Sequence, residues 1–390
     1  MSPSLLVLKS THVDRITSSL SSSYLQSLMA DVFALVSSSS VTPTSYIPQR
    51  IVFPTENHKA LFMPSRICEM GTTMKVVSVP TNPGDLRGLP ASTIVLDKNT
   101  GGVKAIVNAR TLTALRNAAG SLLSTSLIGP SRPTHIVAFG AGQQILAHLD
   151  LHLKAFPSIQ SCIIINRSMN QRFKDTISSL RSKHPDSSTV RTLQCLEWDA
   201  TALASEEGAS GAAADAVRRA LSTASIVITA TSSRMPLFPS SWVPSGAHVI
   251  LIGSYTPEMK EVDKDLIMRA VSKDRADSKP RLLVDSIHAC SQEAGELIDA
   301  GLEENQMVEI GKVVLERRQS GSTLEEQKRT EIRVESASNP DFSGPITMFK
   351  SVGVGLQDVA IACAVVDRAE ELRSAGEDNL GILVDGYDTV

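Results

Sequence analysis

The chain of 390 residues lacks most of the signals that place a protein in a class at first reading. Its five cysteines, Cys68, Cys162, Cys195, Cys290 and Cys363, stand far apart, with no CxxC and no metal-ligand spacing. That excludes a disulfide framework and a thiolate metal centre, and predicts free, mostly buried thiols in a reducing compartment. The eight histidines are read as forming no HxxxH or HExxH pattern, and no metal site is expected. The net charge is −3 and basic residues are scattered, so there is no footprint for nucleic acid or for an anionic membrane. No apolar run is long enough to span a bilayer, and the N-terminal MSPSLLVLKS has neither a long apolar core nor a cleavage pattern. A cytoplasmic protein is the expectation. There is no internal repeat.

What is present is globular in composition, with 42% hydrophobic and 20% charged residues, and long enough for two or three domains. The organising stretch is Thr134–Gln144, THIVAFGAGQQ. His135–Phe139 reads as a short buried strand, and Gly140, Ala141 and Gly142 as a turn. From Gln143 a helix follows, with Ile145, Leu146, Leu149, Leu153 and Phe156 at helical spacing. Strand, glycine turn and helix start make a phosphate cradle. Glycine lets the backbone approach a pyrophosphate, and the helix N-terminus offers free N–H groups and a positive dipole end. Ile145 stands where a third glycine or alanine would complete the dinucleotide fingerprint, so a plain strand-to-helix turn remains the alternative.

Upstream, Leu5–Leu8 reads as a strand and Tyr24–Val36 as an amphipathic helix that the serine run Ser37–Ser40 ends. A strand-rich region follows: Gln49–Phe53, Ala60–Met63 and Thr73–Val79, the loop Pro80–Pro90, then Thr93–Leu96 and Val103–Val107 joined by the turn Asp97–Gly102. Ala109–Thr125 reads as a long helix. From Thr134, strands and helices alternate. The strands are His135–Phe139, Cys162–Asn166, Val190–Leu193, Ile226–Thr229, His248–Ile252 and Leu282–Val284, with helices such as Gln171–Leu180 and Ala213–Leu221 between them. Such near-continuous apolar runs mark a parallel sheet covered on both faces. Glu206–Ala214 and Arg317–Glu331 read as mobile surface loops. After Pro340, Ile346–Val352 is strand-like, and Gly355–Arg373 is a helix with Val359, Ala362, Cys363 and Val366 on one face. The expected division is therefore 1–129, 130–339 and 340–390, the last part returning to the first and leaving a Rossmann unit as an insertion.

Several residues have the chemistry of a site. The second strand of the alternating region ends Asn166-Arg167-Ser168, where a dinucleotide fold places an acid on the ribose 2′-OH. With no acid there, an arginine that stacks on adenine or pairs with a 2′-phosphate points to NADPH, with NADH as the alternative cofactor. Arg50, Lys75 and Arg116 are each flanked by apolar residues, which is costly for a charge unless it faces a cleft or a partner. Two arginines suit a bidentate grip on a carboxylate, and a lysine in an apolar site can exchange a proton. A side chain that snorkels to the surface is the plain alternative for each.

Five blocks in order resemble the ornithine cyclodeaminase/mu-crystallin family over most of the chain. They are PQRIVFP; MKVVSVP followed by NPGDLRGLP; DKNTGGVKAIVNARTLTALRNAAGSLLST; VAFGAGQQ; and ITMFKSVGVGLQDVAIACAVVDRA. The resemblance implies a Rossmann dinucleotide-binding domain inserted into an α/β substrate-binding and dimerisation domain, in a homodimer. It implies that Arg50 and Arg116 grip the substrate α-carboxylate and that Lys75 lies beside the reacting C–N bond. The cofactor residues would be Gly140, Ala141, Gly142, Gln143, Gln144, Asn166, Arg167, Ser168, Thr231 and Gly253. There are two departures. Tyr255 occupies the position of the cyclodeaminases' catalytic aspartate, and Ala91 that of a threonine. The expected activity is NAD(P)H-dependent reduction of a small ketimine or cyclic imine carboxylate, such as pyrroline-2-carboxylate. The rivals are an ornithine cyclodeaminase-like lyase with bound NAD and a small-molecule-binding protein like mu-crystallin.

Overall fold

The computed structural model describes residues 4–38, 44–82, 88–185, 192–204, 211–271, 280–321, 341–377 and 379–387. Its elements begin with β1 (Leu5–Leu8), α1 (Ser10–Ser18), α2 (Ser22–Ser37), β2 (Ser45–Tyr46), β3 (Ile51–Pro54), β4 (His58–Ile67), β5 (Gly71–Pro80), β6 (Ala91–Leu96), β7 (Val103–Asn108) and α3 (Leu112–Ile128). The alternating region supplies β8 (His135–Phe139), α4 (Gln143–Ala155), β9 (Ser161–Asn166), α5 (Gln171–Lys183), β10 (Thr192–Glu197), α6 (Ala212–Ser222), β11 (Ile226–Thr229) and β12 (His248–Leu251). Then come α7 (Lys264–Ala270), β13 (Leu282–Val284), α8 (Ile287–Glu293), α9 (Gly295–Ala300), β14 (Val308–Glu309) and α10 (Ile310–Gln319). The chain closes with β15 (Thr347–Lys350), α11 (Gly355–Ser374) and β16 (Ile382–Val384). Two compact units divide it, one of residues 1–116 with 353–390, the other of residues 117–352.

The first unit holds a sheet in the order β16-β1-β7-β6-β5-β4-β2, with β3 also paired to β4. Among the described residues, β1 and β7 run parallel and the other strand pairs of this sheet antiparallel. Along β5, Gly71, Thr73 and Lys75 are buried and the residues between them less so, the alternation of a strand with one covered face. The helix α11 packs on β4 and β5, and also on α1 and α2. One apolar face was expected of it, but burial runs unbroken from Gly355 to Val366. A helix that is apolar nearly all round is a core helix, and this one is covered on several sides.

The second unit is a parallel sheet in the order β10-β9-β8-β11-β12-β15-β13-β14. Residues of β8, β11 and β12 are almost wholly inaccessible, as both-face coverage by helices requires. The strand order reverses between β8 and β11, the switch point at which such sheets bind ligands beyond their carboxyl ends. The segment Ile346–Val352, expected in the returning part, instead gives this sheet β15, paired between β12 and β13. The units therefore meet in sequence at 116/117 and 352/353. Several other expectations shift. The third strand of the alternating region is Thr192–Glu197, since residues 186–191 lie outside the described residues. In the expected loop 206–214, residues from Ala212 already belong to α6, while 205–210 lie outside the described residues; so do 83–87 of the proline-rich loop and 322–340. Cys68 is exposed and Cys195 partly so, against three buried cysteines.

His148 and His152 stand four residues apart on α4, an HxxxH spacing that corrects the expectation of no such pattern. Neither Nε2 faces an open space: His148 Nε2 is bonded to Ser121 Oγ at 2.9 Å and His152 Nε2 to Thr125 Oγ1 at 3.0 Å. His248 Nε2 bonds Ser124 Oγ at 3.1 Å, completing a row of three buried imidazoles along one row of hydroxyls on α3. Among the described residues, no group of three or more His, Cys, Asp or Glu could hold a metal ion. No described helix is long and apolar enough to cross a membrane.

Candidate active site

In the first unit the structure brings Lys75 and Arg116 together around a carboxylate that the sequence reading did not single out. Lys75 projects from the covered face of β5 and is 3% exposed. Its Nζ lies 2.5 Å from Oδ2 of Asp358, in the first turn of α11. Arg116, near the start of α3, donates from Nε to Asp358 Oδ1 at 3.2 Å and from Nη1 to Gln357 Oε1 at 2.7 Å. Gln357 returns a bond from Nε2 to the Arg116 carbonyl at 3.3 Å. Asp358 sits where the positive end of a helix dipole favours an anion. Burial alone pushes its carboxyl up, but Lys75 and Arg116 outweigh that and hold it below the usual carboxylate range. Burial pulls the Lys75 ammonium down; Asp358 opposes this, and the charges of Arg116 and Arg50 add to it. Arg50 is partly buried just ahead of β3, near enough for its charge to act on Lys75. Across the sheet, Lys75 is flanked by Met63 on β4 and the buried Thr93 on β6.

The glycine cradle in the second unit has the geometry of a dinucleotide turn. Gly140 follows β8 with φ of +115°, and a Cβ there would meet the Ala230 carbonyl oxygen at 2.8 Å. Only glycine suits that conformation and that approach. Gly142 caps α4 without any side-chain cap, and a Cβ on it would meet nothing within 4 Å. Ala141 is buried, its carbonyl accepting a bond from Thr176 Oγ1 at 3.0 Å. Gln143 is exposed, and Gln144 buries an Oε1 that has no hydrogen-bond partner. An uncapped helix start and open space at the second glycine together fit a phosphate-bearing cofactor. At the end of β9, Asn166 Nδ2 donates to the Ser168 carbonyl at 2.7 Å, and Arg167 is exposed beside it.

Thr231 and Gly253 follow the neighbouring strands β11 and β12, and one buried carboxylate ties them together. Glu261 accepts from the Thr231 N–H at 2.6 Å, the Gly253 N–H at 2.7 Å and the hydroxyls of Thr229 and Thr231 at 2.8 Å each. A Cβ on Gly253 would collide with the Thr231 backbone, so glycine is required for the two turns to lie this close. The N–H groups of both residues are thus committed to Glu261. Burial pushes the Glu261 carboxyl up, while Lys350 draws it back. Lys350 is itself wholly buried, paired with Glu296 Oε1 at 2.7 Å and donating to the Ser254 carbonyl at 2.5 Å. The next residue, Tyr255, is 38% exposed.

The missed residues carried a usable signal. Asp358 lies in GLQDVAIACAVV, a carboxylate in an apolar helix, and the burial argument that marked Lys75 and Arg116 applies to it equally. Gln357 and Glu261 carry no such mark, because their roles depend on which backbone groups the fold brings to them.

A parallel dinucleotide-type sheet with a glycine turn at its switch point defines a class of nucleotide-cofactor protein. The chain belongs to the ornithine cyclodeaminase/mu-crystallin family, whose profile matches residues 9–184 and 190–327. It is similar to the ketimine reductase mu-crystallin of Rattus norvegicus, 25% identical over 82% of this chain and 84% of the relative. A Dictyostelium discoideum protein named as an uncharacterized cyclodeaminase is 28% identical over 83% of this chain and 87% of its own. Among solved structures, the Thermococcus litoralis Δ1-pyrroline-2-carboxylate reductase in complex with NADH and L-proline has a TM-score of 0.71 at 20% identity, covering 97% of this chain and all of that one.

Proposed function

We propose that the protein is an NAD(P)H-dependent reductase of ketimine or cyclic imine carboxylates, yielding amino acids. The observation that carries this reading is the buried Lys75–Asp358–Arg116 cluster, which sets a proton donor beside an anion grip. Arg116 and Arg50 hold the substrate carboxylate, the planar fork of each guanidinium matching its two oxygens. Lys75 gives its Nζ proton to the substrate nitrogen as the C=N π pair moves there. When bound, the reduced dinucleotide supplies the hydride for the imine carbon. Gly140, Ala141, Gly142, Gln143 and Gln144 cradle its pyrophosphate, Thr231 and Gly253 line the neighbouring turns, and Asn166, Arg167 and Ser168 take the adenosine end, favouring NADPH. The similarity to a ketimine reductase and to a pyrroline-2-carboxylate reductase fold supports the same reading. The protein works as a homodimer joined through the first unit.

The lyase reading draws support from the cyclodeaminase name of one relative. Against it stands Tyr255, which replaces the carboxylate needed to take a proton from the second amine of ornithine. A neutral phenol is a poor base near neutral pH. One experiment separates the readings: NADPH and NADH oxidation with pyrroline-2-carboxylate, beside ammonia release from L-ornithine with NAD. Imine-dependent oxidation without ammonia is expected. Ammonia release would establish the lyase, and silence in both arms the binding protein.

A further inference from the structure

We propose that Asp358 is a positioning residue of this reaction, whose carboxylate keeps Lys75 a cation and aims its Nζ along the covered face of β5. The inference rests on the imine-reductase reading for its catalytic consequence. Its physical part concerns only the first unit.

Among the described residues, Asp358 is the carboxylate that pairs with the buried Lys75 Nζ. The strands on either side present Met63 and Thr93 opposite it, neither of them charged. The charges that act on it come from three places: Asp358 on α11, Arg116 on α3 and Arg50 ahead of β3. Asp358 is the one anion among these three. A buried ammonium without a counter-ion sheds its proton rather than pay the desolvation cost of staying charged. Two nearby guanidinium charges push in the same direction. Asp358 counters both effects from 2.5 Å. It is itself fixed: Oδ1 accepts from Arg116 Nε at 3.2 Å, and Gln357, its neighbour on the first turn of α11, clamps the same arginine. The carboxylate therefore serves two cations with different tasks, holding the anion grip in place with one oxygen and the proton donor with the other.

The consequence for turnover is specific. Reduction of an imine ends with a proton moving from Nζ to the substrate nitrogen, which carries the former π pair. Lys75 is left as a neutral amine and recovers its proton from water after product release. A lysine that is neutral before the step has no proton suited to the transfer. Asp358→Asn removes the charge that keeps the acid protonated but keeps an oxygen to accept from Arg116 Nε, so kcat falls and KM does not rise.

The test is to follow the Lys75 Nζ by nitrogen-detected NMR titration of the cofactor-free protein, in the wild type and in Asp358→Asn and Asp358→Glu, alongside kcat and KM against pH. Asp358→Asn is expected to lose its Lys75 proton at lower pH than the wild type. The alkaline fall of kcat should move with it, and kcat above that fall should drop about a hundredfold, the scale of general-acid catalysis, at a KM no higher than the wild type's. Asp358→Glu should restore both the titration and kcat. The same titration midpoint in wild type and Asp358→Asn would overturn the proposal, as would a raised KM with kcat intact. Should Asp358→Asn not fold, the wild type and Asp358→Glu decide: a Lys75 already neutral at neutral pH in the wild type overturns the proposal, and a protonated Lys75 in both, with kcat kept in Asp358→Glu, upholds it. If no imine is reduced at all, the reductase reading fails while the titration still tests the Asp358–Lys75 relation.

Discussion

Gly353 sets its bare backbone against the guanidinium of Arg116. A Cβ on it would stand 2.8 Å from Nη1 and 2.9 Å from Nη2, and its φ of +92° is itself unfavourable for any other residue. Gly353→Ala should therefore displace Arg116 and lower kcat/KM about a hundredfold, the cost of misplacing a substrate-holding group by an ångström. If the effect passes through Arg116, the double variant with Arg116→Ala will be no worse than Arg116→Ala alone. Steady-state kinetics of the three variants checks this, and additive losses would refute it.

Cofactor choice rests on Arg167, exposed beside Asn166 and Ser168 at the end of β9. Replacing it by Asp should weaken NADPH binding about ten- to hundredfold, the worth of a charge-assisted hydrogen bond, and leave NADH little affected. Fluorescence titration with each dinucleotide measures it. A wild type that binds the two equally well would contradict the prediction.

The row of imidazoles predicts acid sensitivity. Burial depresses His148 and His248 to about 3 and His152 to about 4, against 6.5 for the free side chain. Depressed groups add stability that is complete above the unfolded value and is lost as pH falls below it. Each should cost about 1.4 kcal/mol per pH unit on the acid side, until its folded value is reached. Urea unfolding is expected to show a steep loss of stability from near pH 6.5 downward, and His248→Gln should flatten it. An unfolding midpoint unchanged through that range would exclude the mechanism.

The assembly prediction rests on β3. Ile51, Val52 and Phe53 are about half exposed or more in the single chain, at 53%, 49% and 56%. A strand with three adjacent apolar residues in water is a surface that another chain covers. Light scattering should give a dimer, and Phe53→Asp a monomer. A monomeric wild type at micromolar concentration would rule the dimer out.

Much of the fold was legible because it is written locally. The strand His135–Phe139 has the same bounds in the structure as in the sequence pattern, since an apolar run between Thr134 and Gly140 has one way to be buried. Lys75 and Arg116 were legible as charges in apolar settings. The neighbours of Thr347–Lys350 were not, because strand character is a local property and sheet order is not. Asp358 was legible by the cations' own argument, and its pairing with them was not, because they lie more than two hundred positions away. His148 and His152 were missed as a spaced pair, and the hydroxyls on α3 that bond their Nε2 atoms could not be read from spacing.

The bond between Arg116 and Asp358 closes over 242 residues of chain. A ribosome that has delivered β5 and α3 has made both cations of the cluster, yet the whole second unit must still be translated before their carboxylate exists. Until then the first sheet also lacks its central helix, so its covered face stays wet and its cations solvated. Completion of this site thus waits until α11 has followed the whole second unit. A premature stop ahead of Gly355 would release a chain whose second unit has its described strands and whose first unit lacks α11 and the carboxylate that pairs with Lys75 and Arg116.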